Sequence, residues 1–281
     1  MSTVAVFGAG DVGGACVQAL ASRDLVHHVL LIDGAVNAAA GKALDIQQAG
    51  AISGFHTRLE ATSDETRAVG CTAIIVADRF ASGSPEWQGE EGLALMRRTA
   101  VESDVPFVFA GAAQADLMRA SSQELRVAPR RLIGSASEAL ASAVRAIVAM
   151  EARCSSTEVS VAVLGSPPDS FVIPWSDASV GGYALERVVS QVQLRRIEAR
   201  VARLWPPGPY ALGAAAARVV EALLDAARSS YSVLAILDGE FRVRNRVGAI
   251  PALLAPHGVA RIRVPLLNAR EQVQLDTALG V

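Results

Sequence analysis

Short apolar runs and longer amphipathic stretches alternate through the first half of the chain. Val4-Ala5-Val6-Phe7, Val29-Leu30-Leu31-Ile32 and Ala73-Ile74-Ile75-Val76-Ala77 are each bounded by glycine, aspartate or polar residues. Their length and β-branched content are those of strands buried on both faces. This pattern predicts strands at 3–7, 28–32, 57–61, 73–77, 106–110 and 131–133. Helices are predicted at 11–22, 38–48, 93–103 and 113–120, and the Ser-, Gly-, Pro- and Glu-rich stretch 82–92 reads as a loop. Such alternation implies an α/β fold, a doubly wound parallel sheet with right-handed crossovers.

The second half is patterned differently. Residues 137–150 form an Ala-rich helix, apolar on most faces, which suits burial between domains or subunits. An alternating strand at 158–164, a bend at Pro167-Pro168 and an apolar run at 170–175 follow. A helix is expected over 185–204, stopped by Pro206-Pro207-Gly208-Pro209, and an apolar helix over 214–228. Runs at 232–238 and 241–247, separated by Gly239-Glu240, read as an antiparallel hairpin. The tail holds an extended stretch at 260–264 and a short helix from Asn268. The expected organisation is a doubly wound domain at 1–136 and an α+β domain at 137–281.

Between the first strand and first helix lies Gly8-Ala9-Gly10-Asp11-Val12-Gly13, a G-x-G-x-x-G turn. Gly8 allows the tight exit from the strand. Gly10 carries no side chain, so a pyrophosphate can approach the backbone. Gly13 lets the helix pack close to the sheet. The helix start at Asp11, Val12 and Gly13 offers free N–H groups and a positive dipole end to phosphate. The second strand ends on Asp33, placed to accept hydrogen bonds from an adenine ribose. Strand, turn, helix, strand and acid in this order mark a Rossmann dinucleotide site. Asp33 repels a 2′-phosphate and no arginine follows it, so NAD is preferred over NADP.

Composition narrows the field. The 281 residues are 51% hydrophobic and 19% charged, with a net charge of −2, which points to neither nucleic acid nor an anionic membrane as partner. No apolar run approaches the 18 or so residues that a membrane span needs. The N-terminus enters a strand without a basic segment, so no signal peptide is expected. Cys16, Cys71 and Cys154 are far apart and odd in number, and read as small hydrophobes in a reducing, cytoplasmic compartment. His27, His28, His56 and His257 lack metal-ligand spacing, and no metal is expected.

With these pieces in order, the chain resembles the malate/lactate dehydrogenase family over roughly residues 4–278. The glycine turn, Leu31-Ile32-Asp33 and above all Gly41-Lys42-Ala43-Leu44-Asp45-Ile46 look like that family's cofactor motif and its following helix. Leu237-Asp238-Gly239-Glu240-Phe241, Gly248-Ala249-Ile250-Pro251 and His257-Gly258-Val259 are similar to its closing sheet. The resemblance implies a Rossmann domain followed by a substrate domain, a dimer or tetramer of identical chains, and NAD(H) as ligand. It also implies that the stretch after the fourth strand, here Ala77-Asp78-Arg79, lies against the dinucleotide; Arg79 could neutralise pyrophosphate or pair with Asp78 at the surface.

The family's chemistry is hydride transfer between nicotinamide and a 2-hydroxy acid. It needs a histidine as acid/base, an aspartate to orient it, and arginines to grip a carboxylate and polarise a carbonyl. Carried over position by position, histidine becomes Pro167, aspartate Leu140, the carboxylate-binding arginine Ala143, and an asparagine Ala113. The mobile-loop arginines have Ser82, Gln88 and Glu90 near their places. None of these can do the work. Two readings follow: an NAD-binding pseudoenzyme, or an oxidoreductase with a rebuilt site using Glu90, Glu91, Glu138, Asp169 or Arg79 on a different substrate. A scaffold that binds no nucleotide is a third.

Overall fold

The apolar runs become the central strands of a twisted sheet, and the amphipathic stretches cover its two faces. The computed structural model describes residues 2–81, 85–100, 103–168, 170–225 and 229–281. The first half runs β1 (Thr3–Phe7), α1 (Asp11–Ser22), β2 (His28–Ile32), α2 (Val36–Ser53), β3 (Arg58–Thr62), β4 (Ala73–Val76), α3 (Gly89–Ala100), β5 (Phe107–Phe109), α4 (Ala115–Gln123) and β6 (Leu132–Gly134). These strands are parallel in the order β3-β2-β1-β4-β5-β6. The order reverses between β1 and β4, which opens a crevice at their carboxyl ends. This is the expected doubly wound α/β architecture.

The second half runs α5 (Ala136–Ala152), β7 (Val159–Ser160), β8 (Leu164–Ser166), β9 (Ser170–Val172), β10 (Ser179–Val180), β11 (Tyr183–Ala184), α6 (Leu185–Val188), α7 (Gln191–Val201), α8 (Pro209–Leu224), β12 (Tyr231–Asp238), β13 (Arg244–Ala255), β14 (Gly258–Ile262) and α9 (Ala269–Leu279). The large sheet continues without a gap: β12 joins β6 antiparallel, followed by β13, β8 and β9, with β14 on β13. A small sheet holds β11-β10-β7. One face of the large sheet buries Leu95, Met96, Met118 and Leu140 from α3, α4 and α5. The other buries Val17, Leu20, Leu212 and Val220 from α1 and α8. There Gly213 meets the backbone of Ala15 so closely that a β-carbon would overlap it.

Several expectations differ from the structure. The second hairpin arm, expected at 241–247, is β13, which follows a 3-10 turn at 240–242, and the helix expected from 214 starts at Pro209, a residue suited to the first helical turn. The helix over 185–204 is two helices, because Ser190 is extended (φ −73°, ψ 161°) and forms a capping box with Gln193. The strand over 158–164 is split between the two sheets. Helix α3 starts at Gly89, inside the expected loop. No helix among the described residues is long and apolar enough to cross a membrane.

Candidate functional site

The glycine turn is fixed by backbone geometry alone. Gly8 sits at φ 106° and donates to the Ile32 carbonyl at 2.8 Å; a β-carbon there would overlap the Asp78 backbone. At Gly13 a β-carbon would overlap the Gly8 carbonyl, which is the close helix–strand packing that position needs. Lys42 on α2 reaches back and donates to the carbonyls of Ala9 and Gly10 at 2.8 and 2.7 Å, so the turn is clamped from outside the cradle. Asp33, buried at the end of β2, accepts from Ala9 N (2.8 Å) and Phe80 N (2.9 Å) on one oxygen and from Ala35 N (2.8 Å) on the other. Asp11 is exposed in the first turn of α1.

The anion position of this cradle is held by a side chain of the chain itself. Asp78 lies two residues beyond the end of β4 and is only 2% exposed. Its carboxylate accepts from Gly13 N at 2.8 Å and Val12 N at 3.2 Å, the groups that a helix N-terminus offers to phosphate. A charge-assisted bond of this kind is worth about 1.5–3 kcal/mol, and the helix dipole adds to it. The Asp78 charge also bears on Cys16: burial first, then this carboxylate, pushes the Cys16 thiol far above its ordinary range. Asp78 thus pairs with the turn and not with Arg79. Arg79 instead meets Glu91 at 2.5 Å and stacks over Trp87 at 5.0 Å. The Ala77 carbonyl accepts from Gln114 Nε2 at 3.2 Å.

A second carboxylate repeats the arrangement one strand over. Asp78 and Glu86 face each other in an antiparallel bridge. Glu86 accepts from Ala112 N and Ala113 N, both at 2.9 Å, beyond the end of β5. A β-carbon at Gly111 would overlap it. Buried Gln114 accepts from Gly111 N at 2.8 Å and donates to the Trp87 carbonyl at 3.3 Å. The N–H groups around the crevice are therefore largely satisfied internally.

The positions read as lost catalytic residues differ in burial. Leu140 is wholly buried in the core, where a leucine contributes roughly 1.5–3 kcal/mol. Pro167 is buried, Ala143 half-buried and Ala113 exposed. The histidines lie elsewhere: His27 and His28 at the amino end of β2, His56 before β3, and His257 in the turn between β13 and β14. Among the candidate acids, Glu90 is exposed and Glu91 pairs with Arg79. Glu138 is buried, but Arg145 at 2.5 Å and Arg218 at 3.5 Å hold it, and it accepts from Ser232 N at 2.9 Å. Ser82 and Asp169 lie outside the described residues. Two recesses, of about 420 and 510 Å³, have no residue of the glycine turn in their walls.

Sequence reasoning took Asp78 only as a possible surface partner of Arg79 and gave Lys42, Glu86 and Gln114 no role in the site. The signal for Asp78 was its place: a charged residue ending the apolar run from Ala73 to Ala77, beyond the crevice end of β4. Lys42 stood inside a quoted motif without an assigned role.

Comparison with known proteins adds the following. Residues 2–103 match the lactate/malate dehydrogenase NAD binding domain. A malate dehydrogenase of Cytophaga hutchinsonii is 28% identical over 296 aligned residues, covering 98% of this chain and 94% of the relative. One of Rhodopirellula baltica is 28% identical over 281, covering 92% and 88%. The solved malate dehydrogenase of Salinibacter ruber superposes with a TM-score of 0.87 at 23% identity, over 99% of this chain and 94% of that one. The minor L-lactate dehydrogenase of Enterococcus mundtii gives 0.84 at 21% identity, over 99% and 95%.

Proposed function

We propose that this chain, which belongs to the lactate/malate dehydrogenase family, is a pseudoenzyme that keeps the family frame without 2-hydroxy acid dehydrogenase activity. One observation carries the reading: Pro167, Leu140, Ala143 and Ala113 stand where the chemistry needs an acid/base, its orienting carboxylate, an anion clamp and a polar amide. Proline has no titratable nitrogen. A leucine in the closed core cannot orient an imidazole, and alanine cannot fork onto a carboxylate. No imidazole lies at the crevice to substitute, and Glu90, Glu91 and Glu138 are solvated or already paired.

The N-terminal domain is of the NAD-binding type. Its backbone fits a dinucleotide: a β-carbon at Gly8 or Gly13 would meet backbone, and Asp33 stands at the end of β2. Gly8, Gly10, Asp11, Val12, Gly13, Asp33 and Ala77 would line the cofactor, with Arg79 at the rim. NAD would supply a hydride acceptor there; none of Pro167, Leu140, Ala143 and Ala113 can move the accompanying proton. The division into residues 1–136 and 137–281, a homo-oligomeric assembly and a cytoplasmic location complete the reading, with no nucleic acid or membrane as partner. They are supported by the likeness to malate dehydrogenases along 98% of the chain and by the change from parallel to antiparallel pairing where β12 joins β6. The test is turnover with malate, lactate, oxaloacetate and pyruvate plus NAD(H). Rates at buffer background support the reading, and turnover well above it with any substrate overturns it.

A further inference from the structure

We propose that Asp78 is a specificity-determining residue of the cradle: an intramolecular anion that competes with the dinucleotide pyrophosphate and keeps NAD(H) affinity low. This rests on reading residues 2–103 as a dinucleotide-binding domain.

Three observations support it. The first is shared donors. The Asp78 oxygens take Gly13 N (2.8 Å) and Val12 N (3.2 Å), the α1 amides a pyrophosphate would use. The second is shared space. A β-carbon at Gly10 would fall inside the Asp78 carboxylate, so the gap that the second glycine leaves for phosphate is already filled. The third is anchorage. Gly10 N donates to the Asp78 carbonyl at 2.9 Å, and Asp78 bridges to Glu86, so the acid is tied to the same turn it caps. An anion delivered by the chain arrives preorganised, whereas a free ligand must lose its translational freedom. A pyrophosphate entering beside this buried carboxylate also meets like charge where screening is weak.

Asp78 therefore has to leave the α1 amides before phosphate can take them. A neutral or smaller side chain removes both the competitor and the repulsion. Glu86 does not share these donors, since it caps Ala112 and Ala113, and so it serves as an internal contrast.

The experiment compares wild type, Asp78→Ala, Asp78→Asn and, as a control, Glu198→Gln, an exposed position on α7 away from the cradle. NADH binding is measured by calorimetry, and thermal stability with and without inorganic pyrophosphate. The expected result is that Asp78→Ala binds NADH about tenfold or more tightly than wild type, roughly 1.4 kcal/mol, with Asp78→Asn shifted the same way. Glu198→Gln should not differ from wild type. Pyrophosphate should raise the melting temperature of Asp78→Ala and leave that of wild type unchanged. Circular dichroism identifies the folded variants, and Asp78→Asn, which keeps the side-chain volume, decides if Asp78→Ala does not fold. Folded variants that bind NADH no better than wild type overturn the proposal. Turnover is a separate readout: dehydrogenase activity in any variant contradicts the pseudoenzyme reading and leaves this one standing.

Discussion

Asp78 and Gly10 occupy one space: the carboxylate of the first lies where a β-carbon of the second would have to be. A glycine at this point of a dinucleotide turn leaves room for phosphate. In this chain the room is taken by an acid that arrives on the neighbouring strand. The backbone is thus that of a cofactor site, while its anion position is self-satisfied.

The contact between α1 and α8 depends on Gly213. A β-carbon there would overlap the backbone of Ala15 and Cys16, which cannot yield as a side-chain tip can. Gly213→Ala gains helix propensity of about 1 kcal/mol but incurs overpacking of about 1–3 kcal/mol. The packing cost should win, and urea unfolding should show a net loss. Gly41 in exposed helix α2 has open space around it, so Gly41→Ala should raise stability by about 0.5–1 kcal/mol. Equal effects at both positions would contradict the packing argument.

Glu138 ties α5 to α8 and β12 through Arg145, Arg218 and the Ser232 amide. It is 2% exposed, so its charge relies on those partners. Glu138→Ala should cost about 3–5 kcal/mol, because it leaves half-buried Arg145 without its counter-ion. Replacing the pair together, Glu138→Leu with Arg145→Met, should cost clearly less. Denaturant midpoints of the single and double variants check this; equal losses would mean that the pair contributes only through packing.

The β1-α1-β2 unit was legible to the residue: expected and observed bounds agree at 3–7, 11–22 and 28–32. There, apolar runs end on glycine or aspartate, so local pattern and tertiary burial agree. The break before α7 was hidden because apolar spacing runs on through Val188, Val189 and Val192, although Ser190 and Gln193 already spelled a capping box. Residues 159–166 leave one sheet and join another, which period-two alternation cannot reveal. In the site, the glycines and Asp33 carry their meaning in local spacing. The role of Asp78 comes from an amide 65 positions away, and only the strand order brings the two together.

Stability should also respond to pH through His28. Burial holds its imidazole below the ordinary value of 6.5; the Glu60 carboxylate opposes this, while Arg58 and Arg67 add to it. Because the folded value lies below the unfolded one, the unfolded chain binds more protons between them, and stability falls as pH drops through that window. Denaturant midpoints measured from about pH 7 down to pH 5 should decline, and His28→Asn should flatten the upper part of the slope. An unchanged slope in the variant would show that His28 is not the group responsible.

The most direct test of the account is cofactor-dependent turnover in Asp78→Ala alongside wild type, with oxaloacetate and pyruvate as oxidants of NADH and malate and lactate as reductants of NAD. The variant removes the competing carboxylate, so a silent assay cannot be put down to a blocked cradle once NADH binding has been measured in the same preparation. The account predicts that Asp78→Ala binds NADH and still turns over no substrate above buffer background. Substrate-dependent oxidation or reduction of the cofactor well above background, in either protein, would contradict it.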